Sequence, residues 1–296
     1  MYHTHHTNTY PGIEPLTMPQ PTNNHQDRTI QLVAVDLDGT LLDSDKRLSP
    51  RVENAIRQVS TRGVHVVIAS ARPPRTVRNI YTSLKLDTLQ INYNGALIQD
   101  PPTGKHIHYQ PLDGKLALNI ANHARTMLRD VLVSVEILDR WYTDRFDEQF
   151  VTETSRLFLP DVIAPLGTFL NQPITKLMLL ASPEPTTRLY HELTCRYAGK
   201  VRLVMCDDYL IQIVHPSVNK GDALARIADY YRIGSKFTMA IGDAPNDIDM
   251  FDYAGLSIAV ENAWPMVKDK ADVVVPSNDQ DGVAVALERY ILNCMG

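Results

Sequence analysis

Two aspartates separated by one residue form the pattern with the most chemical content in this sequence. They lie in residues 36–42, DLDGTLL, directly after a short apolar run. With the Asp, Asp, Gly and Thr fixed at ordinary usage, about one position in 10^5 would match by chance, so coincidence explains the run poorly. Of two such neighbours, one can attack an electrophile while the other transfers a proton. An Asx turn that closes a strand is the structural alternative.

A second acidic run, GDAPND, follows another apolar run far downstream. In open α/β sheets, ligands bind at the C-terminal strand ends, so we expect Asp243 and Asp247 to converge there with Asp36, Asp38 and Ser70. At an effective dielectric constant near ~20, two like charges ~4 Å apart repel by about 4 kcal/mol. The cluster therefore predicts a divalent cation, and a ligand set of oxygens alone favours magnesium.

Alternating apolar runs and amphipathic segments must position these side chains. The first helix should begin after Ser49, which is a good N-cap, with Pro50 in its first turn and Gly63 closing it. Buried strands and helices alternate in this way near both ends of the chain, which predicts an α/β fold with a doubly wound, Rossmann-like parallel sheet. The predicted strands of that sheet are 32–36, 64–69, 89–93, 210–214, 237–241, 256–260 and 272–275.

The alternation is interrupted in the middle of the sequence. Residues 100–207 show turn signals and strand-like runs that predict an inserted α+β cap domain with a mostly antiparallel sheet. The core domain would then consist of residues 29–99 and 208–296. Residues 1–28, rich in Thr, Pro, Asn and His, are predicted to form a flexible N-terminal extension.

Composition limits the class of partner. The chain has 296 residues, of which 44% are hydrophobic and 21% charged, which predicts an ordinary folded protein. Its net charge of −5 offers no broad basic field, so we expect a small molecule as the partner rather than nucleic acid or a membrane. Three scattered cysteines and the lack of a signal-peptide pattern favour a cytoplasmic protein, and we expect no export. A monomer or small homo-oligomer is expected.

These motifs resemble the haloacid dehalogenase superfamily of phosphatases, specifically its Cof-like branch with a large α/β cap. The resemblance extends from about residue 30 to the C-terminus and includes all four family motifs in order. It implies that Asp36 is the nucleophile and a magnesium ligand. It also implies that Asp38 is the general acid and base and binds the metal through its carbonyl, while Asp243 and Asp247 are further metal ligands.

The resemblance also assigns residues to the phosphate and the substrate. Ser70 and Lys220 would bind and neutralise the transferring phosphoryl group, although an N-cap serine and a solvated lysine are the structural alternatives. The family more often has threonine at the place of Ser70 and glycine at the place of Ala71. Because serine also carries a hydroxyl, we expect the role of this position to be modulated and not lost. The further residues expected to bind phosphate or substrate are Arg72, Asn94, Gly95 and Asn246.

The expected function is a magnesium-dependent phosphatase that hydrolyses a small phosphate monoester through a phospho-aspartate. Sugar phosphates are the preferred substrate class, followed by a phosphorylated vitamin cofactor and by nucleotides. A sugar phosphomutase is the enzymatic alternative, and a catalytically silent regulator that binds a phosphometabolite is the alternative from another class. No G-x-G-x-x-G follows the first strand, which argues against a nicotinamide-binding domain.

Overall fold

A computed structural model describes residues 29–152 and 154–293 of the chain, so the predicted extension 1–28 lies outside the described residues. Its strands form two β-sheets, one of eight strands and one of six. The strands are β1 (Leu32–Asp36), β2 (His65–Ala69), β3 (Gln90–Asn92), β4 (Leu97–Asp100), β5 (Lys105–Tyr109), β6 (Leu132–Ile137), β7 (Arg140–Thr143), β8 (Val162–Ile163), β9 (Lys176–Leu180), β10 (Arg202–Asp207), β11 (Leu210–Val214), β12 (Thr238–Gly242), β13 (Leu256–Val260) and β14 (Val273–Val275).

Helices and short helical turns connect these strands. The last helix continues into a π-helical turn at Glu288–Leu292. The α-helices are α1 (Pro50–Thr61), α2 (Pro74–Ser83), α3 (Gly114–Met127), α4 (Leu166–Phe169), α5 (Pro183–Arg196), α6 (Lys220–Tyr231), α7 (Ile248–Tyr253), α8 (Pro265–Lys268) and α9 (Gly282–Leu287).

The first sheet has the order β14-β13-β12-β1-β2-β3-β4-β5. Its strands from β14 to β3 run parallel, and β1 pairs with β12 on one side and with β2 on the other. Every position of β1, β12 and β13 is buried, which is typical of parallel strands covered on both faces. The predicted Rossmann-like parallel sheet is confirmed.

Helix α1 begins as the sequence predicts. The Ser49 hydroxyl oxygen accepts a hydrogen bond from the Val52 N–H at 3.2 Å, and Pro50 occupies the first turn, where its missing N–H is harmless. Gly63 has a φ of +82°, the left-handed region that glycine adopts without strain. Local capping signals therefore fixed both ends of this helix.

The second sheet has the order β10-β11-β9-β6-β7-β8, and its pairs are antiparallel except for β7 with β8. One face carries Val133, Val135, Leu177 and Leu179, which pack in one apolar cluster with residues of α3 and α5. The residues between them point to the other face, because side chains alternate along a strand. That other face contacts the loops of the first sheet.

Strand pairing corrects both predicted limits of the inserted cap, residues 100–207. Strand β5 belongs to the first sheet because it forms an antiparallel hairpin with β4, so the signal at Pro101-Pro102 marks a hairpin turn and not a domain boundary. Strand β11 belongs to the second sheet because it pairs with β10 and β9. The chain thus crosses between the sheets after Tyr109 and after Val214. The division into two separately folding domains stays a prediction.

Among the described residues, no helix combines the length and the apolar character that a membrane crossing requires.

The central position of β12 predicts a large stability effect for Ile241→Ala. Ile241 is fully buried and pairs in register with Val35 on one side and Ile258 on the other. We expect its truncation to lower the free energy of unfolding by about 2–5 kcal/mol, measured by urea denaturation. Ile163→Ala, on a side chain that is 58% exposed at the sheet edge, should change it by no more than about 0.5 kcal/mol. Equal effects of the two substitutions would contradict this placement.

Candidate active site

Three adjacent parallel strands deliver the acidic and hydroxyl side chains to one edge of the first sheet. Asp36 ends β1, Ser70 follows β2 and Asp243 follows β12. The turn after β1 needs a glycine, because Gly39 has a φ of +82° and a Cβ there would come within 2.6 Å of Asp243 Oδ2. The missing side chain lets the two acidic loops approach each other.

Asp36, Asp243 and Asp247 form a buried carboxylate cluster. One oxygen from each lies within 4.8 Å of the others. Lys220 Nζ donates hydrogen bonds to Asp36 Oδ1 at 2.5 Å and to Asp247 Oδ1 at 2.6 Å. Lys220 is 1% exposed at the start of α6, so the alternative of a solvated lysine is wrong. A buried ammonium requires such partners because desolvation of an unpaired charge is very unfavourable.

Backbone and hydroxyl donors fix the orientation of two of these carboxylates. Asp247 Oδ2 accepts hydrogen bonds from the N–H groups of Asp243 and Ala244, both at 3.0 Å. The Thr40 hydroxyl donates to Asp243 Oδ1 at 2.6 Å. The sequence pattern assigned no function to Thr40, although this residue is part of the DLDGTLL run. The contact joins residues 203 positions apart, which local sequence patterns do not show.

The charge in this cluster is not balanced by Lys220 alone. Burial raises the pKa of Asp36 well above its usual range, and Asp247 and Asp243 add to the rise against the opposing charge of Lys220. Burial also raises the pKa of Asp243 to about 6, although the Thr40 hydrogen bond works against it. Burial works to lower the pKa of Lys220, but the charges of Asp247 and Asp36 outweigh it and raise that pKa. Three carboxylates facing one ammonium leave excess negative charge.

The donor set of the cluster suits a hard divalent cation. All three residues offer carboxylate oxygens, the ligand type that magnesium prefers, and the excess negative charge is the driving force for binding a cation. The carboxylates of Asp36, Asp243 and Asp247 would hold the ion, and the expected contribution of the Asp38 carbonyl stays a prediction. The identity of the metal stays a prediction.

The Asp38 carboxylate binds two cations that are not part of this cluster. Arg72 donates from Nε to Asp38 Oδ2 at 2.7 Å and from Nη2 to Oδ1 at 2.5 Å, and Lys46 Nζ donates to Oδ1 at 2.9 Å. Burial works to raise the pKa of Asp38, but Arg72 and Lys46 outweigh it and lower the pKa. Asp38 is therefore held in its ionised, proton-accepting form. No sequence pattern singled out Lys46, an exposed loop residue with a φ of +62°.

Arg72 thus binds Asp38 in this structure, and its expected contact with phosphate stays a prediction. Ser70 does not cap α2, since that helix begins at Pro74 and its N-cap is Pro73. Instead, Ser70 Oγ accepts a hydrogen bond from the Arg72 N–H at 3.1 Å.

The predicted substrate-side residues lie against these loops. The Asn94 N–H donates to the Ser70 carbonyl at 3.0 Å, and Asn246 Nδ2 donates to Asn94 Oδ1 at 2.9 Å. Gly95 follows Asn94 with a φ of +104°. The structure therefore brings Ser70, Asn94 and Asn246 together, while their roles toward phosphate stay predictions, as do those of Lys220 and Gly95.

Comparisons with known proteins agree on one family. Residues 33–287 match the haloacid dehalogenase-like hydrolases. The chain is 29% identical to the 5-amino-6-(5-phospho-D-ribitylamino)uracil phosphatase YitU of Bacillus subtilis, over 88% of this chain and 97% of that protein. It is 28% identical to the phosphatase YwpJ of the same organism, over 88% of this chain and all of that protein.

A solved structure shows the same fold. It is a haloacid dehalogenase-like hydrolase from Bacteroides thetaiotaomicron, which superposes with a TM-score of 0.80 at 25% identity and covers 88% of this chain and 99% of that one.

The raised carboxylate pKa values predict that magnesium stabilises the protein more in alkali than in acid. Without a bound cation, folded Asp243 keeps its proton up to about pH 6, whereas in the unfolded chain the same group loses its proton near about pH 4. Because the folded state binds more protons in this range, the free energy of unfolding falls as the pH rises from about 4 to 6. A cation removes this penalty only where the carboxylates are ionised. We expect magnesium to raise the unfolding temperature by several degrees at about pH 8 and by much less at about pH 5. Equal shifts of the unfolding temperature at both pH values would contradict the assignment of the carboxylate cluster as the metal site.

Thr40→Val should weaken metal binding without unfolding the protein. The substitution keeps the side-chain shape but removes the hydroxyl that stabilises ionised Asp243. We expect the dissociation constant for magnesium, measured by calorimetry, to rise by about ten- to a hundredfold, as for other groups that orient a metal ligand. Thr61→Val, at an exposed helix end far from the carboxylates in the sequence, is the matched control and should leave the constant unchanged. An unchanged constant in Thr40→Val would show that this contact does not support the metal site.

Proposed function

Since this chain belongs to the haloacid dehalogenase-like hydrolase family and is a hydrolase of phosphoric monoesters, we propose that it uses magnesium and a phospho-aspartate on Asp36 to hydrolyse a sugar phosphate. The observation that carries the proposal is the buried cluster of Asp36, Asp243 and Asp247, bridged by Lys220 at the C-terminal strand edge. This arrangement supplies a nucleophile and an unbalanced negative charge at one point, which together suit metal-assisted phosphoryl transfer.

In the first step, an oxygen of Asp36 forms a bond to phosphorus while the bond to the ester oxygen breaks. The departing oxygen takes a proton from Asp38, and the product is an alcohol. In the second step, Asp38 accepts a proton from water as the water oxygen attacks the same phosphorus. Inorganic phosphate leaves and the Asp36 carboxylate is restored.

The environment of Asp38 fits both of its tasks. In the ligand-free protein, Arg72 and Lys46 keep Asp38 ionised, which is the form needed to activate water. A bound phosphate dianion adds negative charge beside Asp38 and competes for these cations, so it raises the pKa of Asp38 toward the acid form. Asp38 can therefore donate a proton while substrate is bound and accept one afterwards.

Charge compensation is the second requirement of the reaction. Lys220 donates a hydrogen bond to Asp36 Oδ1, so its ammonium lies beside the proposed nucleophile, where negative charge would gather on the transferring group. A magnesium ion held by the three carboxylates would add positive charge at the same place. Thr40, Gly39 and the backbone donors to Asp247 keep the carboxylates oriented before substrate arrives.

The substrate class rests on the polar site and on one relative. YitU is named for a substrate with a phosphorylated ribityl chain, and its sequence aligns with 88% of this chain. A sugar phosphate or sugar-alcohol phosphate is therefore the class we propose. A cytoplasmic location and a monomer or small homo-oligomer complete the proposal, and the scattered cysteines support this location.

Asp36→Asn tests the proposed mechanism. The amide keeps the shape of the side chain but is a poor nucleophile, so we expect kcat to fall by at least about 10^4-fold. Phosphate release from a panel of sugar, sugar-alcohol and nucleotide phosphates, with and without magnesium, is the measurement. Asp45→Asn, whose side chain is 69% exposed, is the matched control and should keep full activity.

Other outcomes of this experiment identify the alternatives. An active Asp36→Asn protein would overturn the covalent mechanism. Turnover that requires a sugar bisphosphate would indicate a phosphomutase. Silence of the wild-type protein across the whole panel would favour a regulator that only binds its ligand.

A further inference from the structure

Charged side chains of the second sheet form one row against the loops of the active site. Glu136 on β6 pairs in register with Lys176 on β9, and Arg202 begins β10 at the other side of the sheet. Lys176 Nζ lies 3.4 Å from the carbonyl oxygen of Ala71, in the loop that follows β2. Glu136 is 1% exposed, so this carboxylate lies deep in the contact between the two sheets.

Glu136 binds two residues on the side of the first sheet, Arg75 at the start of α2 and Tyr93 after β3. Arg75 donates from Nη2 to Glu136 Oε1 at 2.6 Å and from Nη1 to Oε2 at 2.9 Å, and the Tyr93 hydroxyl donates to Oε2 at 3.0 Å. Arg75 also contacts Asp139, which lies three residues after Glu136. Burial raises the pKa of Tyr93 well above its ordinary value, so its hydroxyl remains a donor. Two oxygens thus accept three hydrogen bonds across the interface.

Tyr93 belongs to a loop with an uncommon backbone. Tyr93, Asn94 and Gly95 all have positive φ values, of 51°, 58° and 104°. Two of these residues are not glycine, and such left-handed conformations persist only where the surroundings fix them. A Cβ on Gly95 would also clash with the carbonyl oxygen of Asn219. The loop therefore depends on external contacts for its shape.

The contacts that fix this loop come from both sheets. The Tyr93 and Asn94 N–H groups donate to the carbonyls of Arg72 and Ser70, at 3.3 and 3.0 Å. The side chain of Tyr93 is held by Glu136 of the second sheet. The loop thus connects a carboxylate of the second sheet with the loop that carries Ser70 and Arg72.

We propose that Glu136 is a positioning residue of the active site, which holds the 93–95 loop and the start of α2 in their working shape through Tyr93 and Arg75. It touches none of the reacting atoms. The inference rests on the proposed phosphatase function for its kinetic consequence, whereas the structural coupling stands independently of it. The contact between the two sheets holds the backbone of the 93–95 loop against that of Ser70 and Arg72. Removal of the Glu136 carboxylate releases the loop from this arrangement.

A second ion pair, between the second sheet and a helix that packs on the first sheet, provides a matched control. Arg202 Nη2 donates to Asp249 Oδ2 at 2.8 Å, and Arg202 Nη1 donates to the carbonyl of Val218 at 3.1 Å. These hydrogen bonds join the second sheet to α7 and to the segment before α6, and neither of them reaches the 93–95 loop or the Ser70 loop. Asp249→Asn therefore weakens the contact between the units without removing the restraint on Tyr93.

Glu136→Gln is the informative substitution. The amide has a single acceptor oxygen, so it cannot serve Arg75 and Tyr93 as the carboxylate does. With the sugar phosphate that the wild-type protein hydrolyses fastest, we expect kcat to fall by about ten- to a hundredfold while KM changes by less than about threefold. Tyr93→Phe should lower kcat in the same direction. The double variant should lose less than the product of the two single losses, because both act through one contact.

Hydrogen exchange supplies a readout that does not depend on activity. The amides of Tyr93 and Asn94 should exchange at least about tenfold faster in full-length Glu136→Gln than in the wild type, and Asp249→Asn should leave them unchanged. Unchanged exchange at these amides in Glu136→Gln, or an equal increase in Asp249→Asn, would overturn the positioning role. So would a wild-type kcat in Glu136→Gln. If the wild-type protein hydrolyses no phosphate ester, the proposed function fails and the exchange result alone decides the coupling.

Discussion

The buried ammonium of Lys220 between two carboxylates is the interaction on which the site depends. A lysine with 1% exposure is tolerated only beside Asp36 and Asp247, yet with Asp243 the acids outnumber it. Buried ion pairs are weak contributors to stability, because desolvation offsets much of their attraction. A charge cluster of this kind is better explained by the chemistry that it permits. The excess negative charge suits the binding of a cation, and the proposed reaction uses that cation to bind a phosphate ester.

Much of the surrounding structure keeps these charges close together. Parallel pairing of β12, β1 and β2 places the acidic loops side by side, and Gly39 lets Asp243 approach the turn after β1. Thr40 and backbone N–H groups hold two carboxylates in one orientation. Such an arrangement is prepared before substrate binds, so little reorganisation remains for the reaction itself.

The second sheet contributes to the same preparation from the opposite side. Its row of Glu136, Lys176 and Arg202 reaches the loops after β2, after β3 and at α7. Separation of this sheet from the first would break the hydrogen bond between Glu136 and Tyr93.

Patterns within a few residues determined much of this protein. The Ser49 cap, the glycine at 63 and the buried runs before Asp36 and Asp243 predicted strands and helices correctly, because periodicity and capping are local properties. They also predicted that Asp36, Asp243 and Asp247 meet, since parallel strands end at a common edge. The prediction placed residues 100–207 in the cap and the strand 210–214 in the core sheet, whereas β5 pairs in the first sheet and β11 in the second. The sequence of a strand does not state which neighbour it pairs with.

Only the tertiary structure decided the environment of each acid. The sequence grouped Asp38 with the other carboxylates, yet its side chain faces Arg72 and Lys46 and has a lowered pKa, while Asp36 has a raised one. The contacts of Thr40 with Asp243 and of Glu136 with Tyr93 were likewise invisible in the sequence. Each depends on burial and on side chains that are distant along the chain, and a short sequence window contains neither.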